Sequence, residues 1–366
     1  MTAGTFNPDC RFKHTMKPIR IADNAISRMG IGLLLTIGTS ITSLAFGDKY
    51  AGEFLKIGVG VREMSLGGAA VAAPQAVAAA YWNPAQLANN SVLSGQFMHT
   101  EEFAGVLNLD YLAIALPART SFAYSLSYFR LGVDGISDTR AALIDDNGNG
   151  QLDPGERLDP AKFRTFGASE SALLFALARS LNPNLNCGGT FKIINKSLGT
   201  TNAWGVGFDL GALYELLPGL TVGGVLRDVT TTFLYYPDGS NEFILPSLQL
   251  GSSCSWAPRI VPLIIRPSLG WDLAFEGKTN QADFNLGFIS SGFRAGLELQ
   301  IKRVILLRAG RDNLGNLHVG LGLETAVGSL DYALAMGGSY AELGQSQRVG
   351  LTLYFRELGK AVKKYL

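Results

Sequence analysis

The chain has 366 residues and a net charge of +1. Only 17% of its residues are charged, against roughly 25% in ordinary soluble domains. Hydrophobic residues reach 47%, glycines number 44, and no basic stripe is visible, which excludes nucleic acid as a partner. No stretch after the N-terminus is apolar enough for a spanning helix, so any crossing of a membrane falls to strands.

Lys13, Lys17, Arg20 and Arg28 precede an apolar run from Met29 to about Phe46, the layout of an export signal. Small residues at Ala45 and Gly47 place the cut after Gly47, with Ala45 as second choice, so residues 1–47 are read as a signal peptide. Met16 gives an alternative start with an n-region of more ordinary length, and a retained membrane anchor is the competing reading. Cys10 leaves with the signal. Cys187 and Cys254 remain, on non-neighbouring strands too far apart for a disulfide, and are predicted to be free and membrane-facing.

Residues 48–91 are read as an N-terminal plug. The small residues from Gly67 to Ala80 suit a short helix and tight turns inside a barrel, and Asn83-Pro84 ends the helix, since proline disfavours a helical residue before it. Gly58-Val-Gly60 begins like a dinucleotide fingerprint, but Glu63 stands where the third glycine belongs and no βαβ pattern follows.

From Val92 to Arg356 the chain alternates with period two. Trp204, Val206, Phe208, Leu210, Ala212 and Tyr214 share one face, and Gly205, Gly207, Asp209, Gly211 and Leu213 the other. The same alternation sets Phe293, Ala295, Leu297 and Leu299 against Arg294, Gly296, Glu298 and Gln300. About fourteen such segments begin near Val92, Leu107, Thr120, Gly167, Leu185, Asn202, Leu220, Ile244, Leu263, Gly292, Val304, Asn316, Ser329 and Gln347. Connections after even-numbered strands are mostly tight. Those after odd-numbered strands include long ones at 131–166, 228–243 and 276–291, the asymmetry expected of periplasmic turns and outer loops. The predicted fold is all-β: a transmembrane antiparallel barrel of about fourteen strands holding an N-terminal plug. A soluble β-sandwich accounts less well for a second face of Gly, Ser, Arg, Glu and Lys on so many strands. The charges on that face (Asp209, Arg294, Glu298, Lys302, Glu324 and Arg348) are expected to pair across neighbouring strands.

The longest loop carries Asp145-Asp-Asn-Gly-Asn-Gly-Gln-Leu-Asp-Pro-Gly-Glu156, which satisfies the D-x-[DN]-x-[DN]-G-x₅-E calcium pattern in full. Oxygen ligands for a structural Ca²⁺ would come from Asp145, Asn147, Asn149, the Gln151 carbonyl, Asp153 and a bidentate Glu156. Pro154 and the lack of a helix pair argue for an ion that orders the loop, with affinity on the order of 10⁻⁴–10⁻³ M as in extracellular modules. Phe233, Tyr235 and Tyr236 are candidate ligand or partner contacts in the second long loop. His99 and His318 lack an adjacent Ser nucleophile, and the protein is not read as an enzyme. The tail 357–366 sets Lys360, Lys363 and Lys364 against Leu358, Val362 and Leu366, as a periplasmic helix or a disordered end.

The stretch Ala51–Ala88, with Phe54-Leu-Lys-Ile-Gly, Leu66-Gly-Gly-Ala and Tyr81-Trp-Asn-Pro-Ala, resembles the N-terminal signature of PorV/PorQ-type proteins within the FadL-like outer-membrane barrels. The resemblance implies that Gly67, Gly68, Tyr81, Trp82, Asn83 and Pro84 belong to a hatch that fills the lumen. The sequence departs from the pattern at Gln86, where Gly is common, and at Pro74-Gln-Ala-Val, where acidic residues are usual. Two functions follow from the resemblance. One is protein secretion or surface attachment through secretion-machinery or cargo proteins, toward which the wording tilts. The alternative is passive uptake of fatty acids or other hydrophobic small molecules. Outer-membrane lipids surround the barrel in either case.

Overall fold

The alternating segments pair into a single ring. The computed structural model describes residues 52–365 except 75–76, 104, 118–121, 147, 200, 259, 276–282, 287–288 and 338–344. The predicted signal peptide and the start of the plug lie outside the described residues. Fourteen antiparallel strands form the wall: β1 (Ser94–Glu102), β2 (Leu107–Leu116), β3 (Ala123–Asp138), β4 (Arg164–Asn182), β5 (Leu185–Leu198), β6 (Thr201–Leu217) and β7 (Leu220–Arg227). They continue as β8 (Ser247–Cys254), β9 (Leu263–Ala274), β10 (Ile289–Ile301), β11 (Ile305–Arg311), β12 (Leu317–Thr325), β13 (Gly328–Met336) and β14 (Ser346–Tyr354). Each pairs with its sequence neighbour, and β14 closes on β1 with Ser94 opposite Tyr354 and Glu101 opposite Gln347. Each predicted start falls within three residues of the observed one.

The barrel is apolar outside and polar inside. On β6, Trp204, Val206, Phe208 and Leu210 are 44–59% exposed, while Gly205, Gly207, Asp209 and Gly211 are buried. On β12, Leu317, Leu321 and Leu323 are exposed and His318 is buried. Water would make this arrangement costly, whereas a lipid bilayer covers it. Closure satisfies the backbone donors and acceptors that hydrocarbon cannot. Cys187 and Cys254 are free. Each alternates with an inward-facing neighbour, Asn186 and Ser253, so both thiols face outward.

Connections differ between the two ends of the barrel. At the turn end, β6 passes to β7 through Pro218-Gly219 (φ 83°) and β12 to β13 through Ala326-Val327. At the loop end, β3 and β4 stay paired up to Asp138 opposite Arg164, so the connection read as 131–166 narrows to 139–163. The connection read as 228–243 is a hairpin, Thr232–Tyr235 against Asn241–Ile244. Its first strand pairs with the upper part of β6, continuing the wall where β7 has ended. Of the connection read as 276–291, Phe284–Leu286 pairs with the start of β10. The tail is helical over Phe355–Tyr365.

Inside the ring sit two short helices, α1 (Val61–Ser65) and α2 (Ala79–Trp82), flanked by 3₁₀ turns at Glu53–Lys56 and Pro84–Asn89. Phe54, Met64, Tyr81, Trp82 and Leu87 pack on the inward side chains Met98, Tyr111, Phe129 and Leu174. Phe54 stacks on Phe129 at 5.5 Å between ring centres, and Tyr81 meets the edge of Trp82 at 5.0 Å. Inward glycines make the room. A methyl group at Gly296 would lie 2.7 Å from the Leu66 carbonyl oxygen, and one at Gly350 would lie 2.7 Å from Val61 Cγ2. At Gly211 and Gly310 it would overlap Asn83 and the Leu66–Gly67 peptide outright. Replacing Gly211 by Val should therefore unseat the plug, at a cost of about 1–3 kcal/mol for forced overpacking. Limited trypsinolysis at Arg62 reads the result: rapid cleavage in Gly211→Val, and protection in the wild type and in Gly189→Val, whose outward position has ordinary contacts only.

Candidate functional site

The plug divides the lumen into two chambers of opposite character. The chamber on the loop side, about 110 Å³, is lined by Leu55, Tyr81, Trp82, Leu174, Ile244 and Leu273 and by a cluster of charged groups. Buried Lys192 on β5 lies 2.7 Å from Asp209 and 2.6 Å from Asp228. Arg294 on β10 donates to Asp272 at 2.6 Å, and Arg227 to Gln249 at 2.8 Å. Arg227 also lies over the Tyr81 ring at 5.0 Å. Asp228 sits at φ 51°, in the left-handed region that Asp tolerates better than most residues. It is held there because its N–H donates to Asp209 and its carboxylate accepts from Thr232 and Lys192. This knot fixes the root of the 232–244 hairpin that roofs the chamber.

The plug signature residues are internal clamps. The Asn83 amide donates to the carbonyls of Val71 (2.8 Å) and, on β6, Ala212 (3.1 Å), and its oxygen accepts from Ala85 N. Pro84 starts the following 3₁₀ turn. Trp82 Nε1 donates to the Val59 carbonyl at 2.8 Å and the Tyr81 hydroxyl to that of Leu55. Gln86 donates to the carbonyls of Ala70, Val71 and Ala73, tying together the small-residue run. Gly67 and Gly68 adopt φ 65° and 73°, and a side chain at Gly67 would strike the backbone of Arg311. Burial pushes the Tyr81 hydroxyl pKa up, opposed in part by the nearby Arg227.

The chamber on the turn side is polar. At its centre Glu298 accepts from Arg62 of the plug (2.7 and 3.0 Å), from Arg266 on β9 (2.7 Å) and from Arg308 on β11 (2.8 Å). Arg308 also reaches Asp331 at 2.6 Å, and Gln300 donates to Glu324 at 2.6 Å. Next to Arg62, burial pushes the Glu63 carboxyl up to about 7, with the Arg62 charge pulling the other way.

Of the charges expected to pair across neighbouring strands, Asp209, Arg294, Glu298 and Arg348 do so, Arg348 with Glu102 at 2.6 Å, whereas Glu324 accepts from the neutral Gln300, two strands away, and Lys302 has no charged partner among the described residues. That residue lies in the β10–β11 turn at φ 50° and is exposed. Lys192, Arg62 and Glu63 were not singled out from the sequence. Lys192 was legible as a charge at an inward position, two residues from Thr190 and Ile194, whereas plug residues follow no simple period. His318 donates from Nε2 to Asp312 at 2.9 Å, because its Nδ1 faces the Arg348 guanidinium at 3.4 Å and has to accept. His99 pairs with Asp110 at 2.7 Å.

In the calcium-pattern loop, Asp145 accepts from the N–H groups of Gly148 and Gly150, and Asn149 accepts from Gln151 and donates to Asp153. Glu156 accepts from Asp146 and Asp153. Gly148 and Gly150 take φ 76° and 73°. Among the described residues no three acidic, His or Cys groups converge on one point, and Asn147 lies outside them. Phe233 packs edge-on against Phe243 at 5.0 Å, Tyr235 is 56% exposed, and the Tyr236 hydroxyl donates to Glu242 at 2.7 Å. These three residues stand in the hairpin and are not brought to the calcium-pattern loop or the plug signature.

No protein-family model matches the chain, and no curated protein matches it in sequence. Solved structures do match. The toluene transporter TodX of Pseudomonas putida superposes with a TM-score of 0.51 at 12% identity, over 81% of this chain and 96% of that one. A FadL homologue of Pseudomonas aeruginosa does so with a TM-score of 0.50 at 13% identity, over 81% and 98%. Ring closure, strand number and likeness agree on a FadL-like fourteen-strand barrel.

Removing the buried cation from the loop-side knot should be severe. Lys192→Met takes from Asp209 and Asp228 their shared cation, leaving Asp209 with the Asp228 N–H and Arg227 at 3.9 Å and Asp228 with the Thr232 hydroxyl, at about 3–5 kcal/mol for breaking a buried pair from one side. The expected readout is a lowered denaturation midpoint together with protease sensitivity near Pro237–Gly239. An unchanged midpoint would mean that the knot is not structural.

Proposed function

We propose that the protein is an outer-membrane channel for passive uptake of small, uncharged hydrophobic molecules. The observation that carries this reading is the loop-side chamber: apolar walls, with each cation in its charged cluster already matched to an acceptor within the protein. A ligand carboxylate at Lys192 or Arg294 would have to displace Asp209, Asp228 or Asp272 from a buried pair, which is unfavourable by several kcal/mol, and one at Arg227 would break its bond to Gln249, whereas a neutral hydrophobe displaces nothing. At about 110 Å³ the space is of the order of the apolar cavity of ~150 Å³ that takes up benzene in another protein. The fold shared with a toluene transporter supports the same reading. The secretion or surface-attachment role rests on the wording of Phe54–Ala88 and would place partner proteins on the outer loops.

Binding of toluene and of benzoate to the purified barrel tests the proposal. Toluene should bind, benzoate at least tenfold more weakly, and Leu174→Trp, which fills the chamber, should abolish toluene binding without altering barrel assembly. Equal or tighter benzoate binding would overturn the preference for uncharged cargo. A barrel that binds neither compound but retains stoichiometric partner proteins from outer membranes would favour secretion.

We also propose that Ca²⁺ orders the 145–156 loop, supported by the complete ligand pattern and its glycine turns. Isothermal titration should show millimolar-range calcium uptake that disappears in an Asp145→Ala, Glu156→Ala double mutant. Unchanged uptake would reject the site.

A further inference from the structure

At the turn end of the barrel β14 passes directly into a helix, α3 (Phe355–Tyr365). The junction is fixed to the rim. Tyr354 N–H donates to the Val327 carbonyl at 2.8 Å, and Phe355 N–H to that of Leu93 at 3.1 Å. Val349 and Leu351 of β14 are exposed on the outer wall, and Phe355 continues their series. On β1 the inward Ser94 and Gln96 are buried, so Gly95 between them faces outward. A methyl group at Gly95 would lie 3.1 Å from the Phe355 ring, which therefore rests on the outer, lipid-facing side of β1. The helical period then assigns the positions of Phe355, Leu358, Val362 and Tyr365 to one side, and those of Arg356, Glu357, Lys360, Lys363 and Lys364 to the other. That second side has four cations against one carboxylate, and Glu357 pairs with Lys360 at 2.6 Å. The rim beyond the helix is basic too. Lys302 and Arg303 are exposed in the β10–β11 turn, and Arg179 near the end of β4 lies over the Phe122 ring at 5.6 Å, with Glu215 an exposed acid at the same level.

We propose that α3 is an interfacial helix, lying in the surface of the membrane leaflet at the turn end and holding anionic phospholipid headgroups along its basic side. Its apolar side starts on a wall that lipid covers, at Phe355. A helix running in the membrane plane keeps the rest of that side in the same lipid, whereas one running away along the barrel axis carries it into water. Lysine and arginine on one side with Phe, Leu and Val on the other is the composition of helices that lie at this boundary. An excess of positive charge is rewarded by a negative surface and little by zwitterionic headgroups, so the lipid it selects is anionic. The tether at Phe355 keeps the helix at the surface, and a weak attraction per residue is then enough to seat it. This assignment stands whatever molecule the loop-side chamber takes.

The test attaches a nitrobenzoxadiazole fluorophore to Val362→Cys or to Lys364→Cys, in the full-length barrel without its native cysteines, reconstituted into vesicles whose acyl chains are brominated. Both leaflets have the same composition, so the direction of insertion does not affect the reading. In mixed phosphatidylglycerol and phosphatidylcholine, quenching should be several-fold stronger at position 362 than at 364. In phosphatidylcholine alone, quenching at 362 should fall by more than half. The charge-reversed variant Arg356→Glu, Lys360→Glu, Lys363→Glu should show the same fall in the mixed vesicles, with the heat-modifiable gel migration of a folded barrel retained. If that variant does not assemble, the comparison of the two lipid compositions decides instead. Equal quenching at the two positions overturns the interfacial placement, as does the absence of quenching at both. Quenching at 362 that is indifferent to phosphatidylglycerol overturns the choice of an anionic surface.

Discussion

Closure of β14 on β1 is the constraint from which the rest follows. Once the ring is complete, no strand edge faces lipid and each wall residue has one of two addresses, hydrocarbon or lumen. The outward address takes Trp204, Phe208 and Leu321; the inward one takes Asp209, Lys192 and His318. Charges placed inside are far from bulk water, so they need one another, and they occur as knots rather than as scattered residues. Lys192 between two aspartates and Glu298 among three arginines are the same solution reached on opposite sides of the plug.

A ring of fourteen strands leaves a lumen that its own side chains do not fill, and the glycine content answers a packing problem. Gly188, Gly211, Gly223, Gly296, Gly310 and Gly350 lie where the plug comes within contact of the wall, by its backbone or, at Gly211 and Gly350, by the side chains of Asn83, Pro84 and Val61. Side chains there would hold the plug away. Without the plug, those same glycines would line a hole. The small residues from Ala69 to Ala80 are the complementary half, and Asn83 and Gln86 satisfy the carbonyls that a run too irregular for a long helix leaves open.

Strand number and the two faces of each strand were legible because alternation is a local signal repeated fourteen times, and a slip of one residue would turn every apolar side chain inward. The lengths of β3 and β4 were not, since above the bilayer both faces meet water and Asp134, Ser169 and Thr165 blur the alternation while pairing continues. The connection 228–243 reads as a long outer loop for a related reason: the strands of its hairpin are four residues long, and only the early end of β7 shows that they are needed in the wall. Within the plug, the helix end before Asn83-Pro84 follows from proline geometry, while the hold of the Asn83 amide on Val71 and Ala212 does not. The tie between Arg62 and Glu298 does not either, because it joins residues 236 positions apart.

The two chambers differ in what they reward. A neutral hydrophobe above the plug is in contact with Leu55, Trp82 and Leu174, and gains the free energy of leaving water there. Moved below the plug, the same molecule would stand among Arg62, Glu298, Arg308 and Asp331 and would interrupt their hydrogen bonds without replacing them. The seated plug is thus a partition between an apolar compartment and a polar one, and its position controls which of the two a cargo meets. Arg62 makes the charge-assisted part of that seal and Gly211 and Gly310 make its fit, so the energy of displacing the plug is set at contacts that the cargo itself does not touch.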